Sequence, residues 1–458
     1  MATKPTKPAS MMEELRTIRD RLGKKLSTLT PEEQQVKINS LDKSDPAKEK
    51  PRAPKRASTK APLPKSQAQR MTVKISALPA LKSKLPNVGT TIFSVMSKLA
   101  QETGAINLSQ GFPDFPIDEK LSELTHAAMK AGHNQYAPMP GLPALRDAIA
   151  AKVERLYDFS YDPDTEITVT AGATQALFTA LGAIVRPGDE VVIIDPAYDC
   201  YAPTVELFGG IPVHVRLGND MKFDALALRK AVTRKTRVLM INTPHNPAGT
   251  ILRDADMRAI ADILRDTDII LISDEVYEHL VFDGEQHASA IRYPELRERA
   301  FVVYSFGKVF HATGWKMGYV LAPKALMAEF RKVHQFNVFS VNTPMQFALA
   351  EYLKDPLHYE ALPSFYQAKR DRFLIGLRAS PFEPLPCEGS YFQLADYSKI
   401  SDEPDLVFAK RLATEYGVAA IPLSPFYKDP PLEQRILRFC FAKQDETLDN
   451  AIEKLCAI

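Results

Sequence analysis

The residues best suited to chemistry lie in one run, Ser305-Phe306-Gly307-Lys308-Val309-Phe310-His311-Ala312-Thr313-Gly314-Trp315-Lys316-Met317-Gly318. It follows directly on Phe301-Val302-Val303-Tyr304, a short apolar stretch that reads as a strand. Lys308 is thereby held near a strand end among apolar neighbours. Burial there disfavours the charged amine and leaves a nucleophile able to form a Schiff base with an aldehyde. Taken alone, the same run reads equally well as a loop carrying two surface lysines, Lys308 and Lys316. The elements that position it must decide.

From Ile106 onward the chain alternates strand and helix. Strands are expected at Glu166–Thr170, Glu190–Ile194, Arg237–Ile241, Ile269–Ile272, Phe301–Tyr304 and Tyr319–Ala322, with helices such as Ala173–Val185 and Asp256–Arg265 between them. Continuous apolar strands separated by helices predict an α/β fold, a mostly parallel central sheet with helices on both faces. After about Ala350 a helix (Leu362–Leu377) and the strands Tyr391–Leu394 and Ile436–Phe441 predict a smaller α+β domain. No internal repeat is evident.

Ligands bind outside the carboxyl ends of strands in such sheets, so the residue after each strand is informative. Glu166–Thr170 leads to Ala171-Gly172-Ala173-Thr174 and a helix start, a phosphate-type site. Glu190–Ile194 leads to Tyr198, an aromatic face, and Arg237–Ile241 to Asn242-Thr243-Pro244-His245-Asn246-Pro247, an amide. Ile269–Ile272 leads to Asp274 and Tyr277, and Phe301–Tyr304 to Ser305 and Lys308. A phosphate cradle, a stacking ring, an acid, polar donors and an amine converge on one crevice, which suits pyridoxal phosphate.

The stretches SFGKVFHATGWKMGY, NTPHNPAG, SDEVYEH, NQYAPMPG and INLSQGFPDF resemble the class I pyridoxal-phosphate aminotransferases of fold type I, in particular the methionine aminotransferase branch related to the kynurenine and glutamine transaminases. The likeness runs from about Ser83 to the C-terminus. It implies that Lys308 holds the cofactor as a Schiff base and shuttles the substrate's α-proton. Asp274 would pair with the ring nitrogen and keep it protonated. Tyr277 and Asn246 would hydrogen-bond the phenolate oxygen, and Tyr198 would stack on the ring. Ser305, Lys316 and the N–H groups of Ala173 and Thr174 would hold the phosphate. Many relatives have arginine where Lys316 stands, which shifts anchoring toward the helix end. Tyr136 would reach the phosphate of a neighbouring subunit, implying a homodimer with shared sites. Phe112, Tyr391 and Phe339 would line the side-chain pocket, and the backbone at Gly111 would touch the substrate carboxylate.

Arg438 is the one charge in Ile436-Leu437-Arg438-Phe439-Cys440-Phe441 and needs an anionic partner. An internal Asp or Glu and a substrate carboxylate are both open from the residues alone; the resemblance implies the substrate. The expected activity is transfer of an amino group from an L-amino acid, methionine or aromatic, to a 2-oxo acid. Two alternatives share parts of the pattern: a carbon–sulfur β-lyase on the same cofactor, and a regulator carrying an aminotransferase-like domain.

The 458 residues, 45% hydrophobic and 25% charged, have ordinary globular composition and length for two domains or more. The expected division is a basic extension over 1–70, an N-terminal arm with part of the small domain over 71–115, a large cofactor-binding domain over 116–355 and a small C-terminal domain over 356–458. Residues 1–70 carry 17 Lys/Arg against 8 Asp/Glu, net +9; since the whole chain is +2, the remainder is −7. Bulk charge therefore argues against a nucleic-acid partner for the globular part. Within the extension, Met12 to Leu29 has helical spacing and Thr30-Pro31-Glu32-Glu33 opens a second short helix. The Lys-, Pro-, Ala- and Ser-rich stretch from Lys43 to Arg70 is expected to be a disordered linker. Such a tail is a docking hairpin on a tether, a dispensable extension, or upstream sequence from a misassigned start with Met71 as the working first residue; Glu13, Glu14, Glu32 and Glu33 argue against a transit peptide. Cys200, Cys387, Cys440 and Cys456 form no C-x-x-C pair, and no apolar run approaches the roughly 18 residues of a membrane span. A cytoplasmic protein with reduced thiols, no membrane partner and no metal site is expected.

Overall fold

The computed structural model describes residues 81–458. The helical patterns and basic linker expected in residues 1–70, and the first ten residues of the arm, lie outside the described residues.

A two-residue strand, β1 (Ile106–Asn107), comes first. Seven strands then build the central sheet: β2 (Ile167–Thr170), β3 (Glu190–Asp195), β4 (Ile211–Arg216), β5 (Thr236–Asn242), β6 (Ile270–Asp274), β7 (Ala300–Ser305) and β8 (Gly318–Leu321). Their order is β2-β8-β7-β6-β5-β3-β4. Pairings from β7 through β4 are parallel, and β8 runs antiparallel to both its neighbours. The strands expected from apolar runs are all present, with ends displaced by one or two residues. The edge strand β4 was not expected. Its Ile211, Val213 and Val215 alternate with Pro212, His214 and Arg216, a half-exposed pattern that a search for continuous apolar runs passes over.

Successive side chains of a strand point to opposite faces, and both faces here are covered. Val191 and Ile193 of β3 join Met240, Phe301 and Val320 under the helices Ala173–Ile184 and Lys324–Asn337. Val192 and Ile194 join Leu239, Val302 and Tyr319 on the other face, with Leu145, Ile149 and Val153 of the helix Pro143–Tyr157. Burying both faces is what makes these strands uniformly apolar.

The C-terminal part carries the helix Leu362–Ala379 and an antiparallel sheet in the order β12-β13-β10-β9. Its strands are β9 (Glu383–Pro384), β10 (Phe392–Asp396), β12 (Ile421–Pro422) and β13 (Ile436–Cys440). The two-residue strand β11 (Val418–Ala419) pairs in parallel with β1, so the start of the described chain packs on its C-terminal part. Among the described residues no helix is long and apolar enough to cross a membrane.

Candidate active site

Lys308 stands on the single-turn helix Phe306–Val309 that directly follows β7. Its Nζ donates to Tyr391 Oη at 2.9 Å and to the Gly111 carbonyl at 3.2 Å, and Tyr391 Oη donates to the same carbonyl at 2.7 Å. Burial lowers the lysine's pKa to about 8. At neutral pH roughly a tenth of such amines are uncharged, against well under a thousandth for an ordinary lysine. Lys308 is a nucleophile in waiting and not a surface lysine.

Asp274 ends β6, beside β7 in the sheet, and lines the same cavity as Lys308. Tyr201 Oη donates to its Oδ2 at 2.6 Å, and burial raises its pKa to about 6. It remains mostly ionised at pH 7 and has no cation at salt-bridge distance among the described residues. A protonated ring nitrogen would supply one.

The opposite end of the cavity is built for an anion. Gly172 opens the helix Ala173–Ile184 with φ +77°, a left-handed conformation that other residues adopt at a cost, and no side chain caps that helix. A Cβ on Gly172 would stand 3.3 Å from Lys316 Cε, so a side chain would crowd the cradle. Ser305, Ala173, Thr174 and Lys316 line it. Lys316 reaches this end because β8 is antiparallel: its start, Gly318, lies where its neighbours finish. Gly318 is required there, since a Cβ would meet Tyr304 O at 2.6 Å.

Tyr198, Asn246 and Tyr277 complete the cavity, whose volume of about 150 Å³ is enough for one six-membered ring. Tyr277 is buried and packs edge-on against Tyr391 with ring centroids 5.0 Å apart. Burial holds its hydroxyl protonated far above neutral pH, so it can donate to an oxygen anion. Asn246 Oδ1 accepts from Arg438 Nη1 at 2.7 Å, which brings the strand β13 to the cavity edge.

Arg438 is 1% exposed. Its Nη2 donates to the Ser109 carbonyl at 3.1 Å, its guanidinium lies 3.9 Å from the Phe392 ring centroid, and its Nε has no partner. Among the described residues it makes no salt bridge, and burial lowers its pKa to about 10. Of the internal acids left open by the sequence, Asp199 is near enough for its charge to act on the guanidinium, but it forms no salt bridge with it. A buried cation with no carboxylate in contact marks a place for an anionic ligand.

Nine of the expected residues therefore line one cavity, and Arg438 and Gly111 join it through Asn246 and Lys308. Three stand apart within one chain. Tyr136 is 82% exposed and packs edge-on against Phe339 at 5.4 Å, while Phe339 and Phe112 are themselves exposed. Tyr201 and Asn242 line the cavity but were not singled out. The signal for Tyr201 was its place three residues beyond Tyr198; that for Asn242 was its position as the last residue of a strand.

A reactive amine facing an acid that lacks a cation, with an anion cradle at the far end, serves an aromatic aldehyde phosphate. On this sheet it defines the fold type I class of pyridoxal-phosphate enzymes. The chain belongs to the aminotransferase class I and II family, whose pattern matches residues 103–455, and is a pyridoxal-phosphate-dependent aminotransferase. It is 52% identical over 382 residues to the methionine aminotransferase of Escherichia coli K12, covering 82% of this chain and 97% of that protein. It is 36% identical to mouse kynurenine–oxoglutarate transaminase 3 over 82% of this chain and 91% of the other. The crystal structure of E. coli YbdL, reported with a methionine aminotransferase function, superposes with a TM-score of 0.81 at 50% identity, covering 84% of this chain and all of that one. A Thermus thermophilus aspartate aminotransferase superposes at 0.76 with 30% identity, covering 83% and 100%.

Proposed function

We propose that this protein transfers the amino group of an L-amino acid, methionine or an aromatic one, to a 2-oxo acid in two half-reactions. It does so as a cytoplasmic homodimer with shared sites. The observation that carries the substrate reading is Arg438, a fully buried guanidinium with an unpartnered Nε and, among the described residues, no carboxylate at salt-bridge distance, set beside the cavity that holds Lys308. A bidentate carboxylate is the ligand that such a fork takes. The identity shared with methionine and kynurenine aminotransferases supports a bulky side chain over a second carboxylate.

When bound, pyridoxal phosphate supplies an aldehyde carbon and an electron-accepting ring. Ser305, Lys316 and the first N–H groups of the helix Ala173–Ile184 anchor its phosphate. Asp274 holds a proton at the ring nitrogen, and Tyr201 holds Asp274. Tyr277 and Asn246 donate to the ring oxygen. Arg438 seats the substrate carboxylate with help from the Gly111 segment, which orients the α-hydrogen toward Lys308. Lys308 would be the base that takes the proton from the substrate's α-carbon and, as the conjugate acid, the group that gives it back. Tyr391 and the Gly111 carbonyl hold the lysine in reach meanwhile.

Residues 116–355 form the cofactor-binding part in this reading, and 356–458 bring Arg438. The exposed Tyr136 and Phe339, with Phe336 at 87% exposure, support a second subunit covering that surface. Free Cys200, Cys387, Cys440 and Cys456 support a reducing compartment. The test is a panel of L-amino acids added to the loaded protein, with the visible absorbance of the bound cofactor followed for each. Bleaching by methionine and aromatic amino acids, with release of the matching 2-oxo acid, is expected. Bleaching by dicarboxylic amino acids alone would overturn the substrate class.

A further inference from the structure

We propose that Asn242 is a positioning residue that joins the grip on the cofactor ring to the grip on the substrate carboxylate. It is the last residue of β5 and lies directly opposite Asp274, the last residue of β6. Its Nδ2 donates to the Asp274 backbone carbonyl at 2.8 Å, and its Oδ1 accepts from the Asn246 backbone N–H at 2.7 Å. One end of the amide meets a carbonyl and the other an N–H, so only one orientation satisfies both. Asn246 Oδ1 in turn accepts from Arg438 Nη1. A continuous buried chain thus runs from Asp274 through Asn242 and Asn246 to Arg438.

The segment after β5 has reason to need such a tie. Pro244 and Pro247 flank Asn246 closely and have no N–H to give. The bonds that shape the turn, His245 N to Thr250 O at 2.8 Å and Leu252 N to Thr243 Oγ1 at 3.0 Å, lie on either side of Asn246 and do not hold it. Asn242 fixes Asn246 from below and shares the Asp274 carbonyl with the Thr243 backbone N–H, which donates to it at 3.1 Å. Both carbonyl and amine of the side chain are used on protein backbone, so its role is to set where its neighbours point. Aspartate keeps the acceptor for Asn246 but turns an oxygen on the Asp274 carbonyl; leucine, of similar size, keeps neither bond.

The inference rests on the roles proposed for Asp274 and Arg438, and its cofactor end is measured apart from its substrate end because cofactor affinity is titrated without substrate. The full-length protein would be prepared as Asn242→Leu and Asn242→Asp, freed of cofactor, and titrated with pyridoxal phosphate. Asn242→Leu is expected to weaken cofactor affinity at least about tenfold and to raise the amino-acid KM at least about tenfold. It should also move the pH midpoint of the bound cofactor's visible band. Asn242→Asp should recover KM more fully than cofactor affinity. Cofactor affinity, band midpoint and KM all within about twofold of the parent would overturn the proposal, even with a lower melting temperature, since that pattern marks a structural residue. If the leucine variant does not fold, unchanged cofactor affinity in Asn242→Asp overturns it equally. An unchanged KM in an Arg438 variant would sink the substrate reading instead, and would leave the cofactor titration valid.

Discussion

Replacing Arg438 by methionine separates a ligand-binding arginine from a structural one. The guanidinium is 1% exposed, with two hydrogen bonds, an unpartnered Nε and, among the described residues, no salt bridge. Removing it leaves Asn246 Oδ1 and the Ser109 carbonyl without a donor, at about 1–3 kcal/mol each. It also removes a buried charge that no carboxylate contacts, which returns free energy of the same order. Methionine, flexible and apolar, fills the space over Phe392. The two effects offset, so folding stability should change by no more than about 3 kcal/mol. The substrate carboxylate, in contrast, loses its guanidinium partner in a desolvated site. Truncating one partner of such a pair costs about 2–5 kcal/mol, or roughly 30- to 4,000-fold in affinity. Initial rates against amino-acid and 2-oxo acid concentration would show KM rising by that factor for both substrates, because both present a carboxylate. Melting curves and the cofactor's visible absorbance, recorded on the same preparation, would confirm that it is folded and loaded. A normal KM together with a stability loss beyond about 4 kcal/mol would refute the reasoning, since it would mean that the guanidinium holds the fold.

Three further outcomes follow from the same geometry. With the Lys308 amine lowered to about 8, uptake of pyridoxal phosphate by the cofactor-free protein should quicken about tenfold per pH unit up to about pH 8 and then level off, as read by rapid-mixing absorbance. A midpoint near 10 would contradict the burial argument. Asp274 has a folded pKa raised to about 6 from an ordinary value near 4, so between those values the folded cofactor-free protein binds more protons than the unfolded chain. That contribution is fully present below about pH 4 and lost as pH rises through 6; denaturant titrations should show Asp274→Asn flattening this slope, and an unchanged slope would count against a buried, cation-free acid. For the shared site, Lys308→Ala and Tyr136→Phe should each lose activity in isolation, yet subunit exchange between the two in equal amounts should restore up to about a quarter of parental activity to the mixture, since about half of the dimers are then mixed and each of those has one intact site. No recovery after verified exchange would place Tyr136 outside its partner's site.

The parts of this protein that were legible in its sequence are those encoded by short-range pattern. Strands buried on both faces must be apolar throughout, and the chemistry sits at their ends, so Lys308, Asp274 and Tyr198 could be read in register before any pairing was known. What the pattern does not carry is direction and partnership at long range. An apolar run has the same composition whichever way it runs, so nothing in Gly318–Leu321 announced that β8 would be reversed, or that this reversal is what delivers Lys316 to the phosphate end. A strand that alternates, as β4 does, is written in a different period and escapes a search for runs. Asn242 bonds to backbone atoms, which carry no residue signature, and only the β5–β6 register makes them neighbours. Arg438 remained ambiguous because its partners, Asn246 and Ser109, are 192 and 329 positions away along the chain. A lone arginine in an apolar strand states a need for an anion without saying whose. The fold answers by leaving the Nε of that guanidinium unpartnered near the reactive lysine, and an arrangement that costs the free protein stability is most simply retained for what it binds.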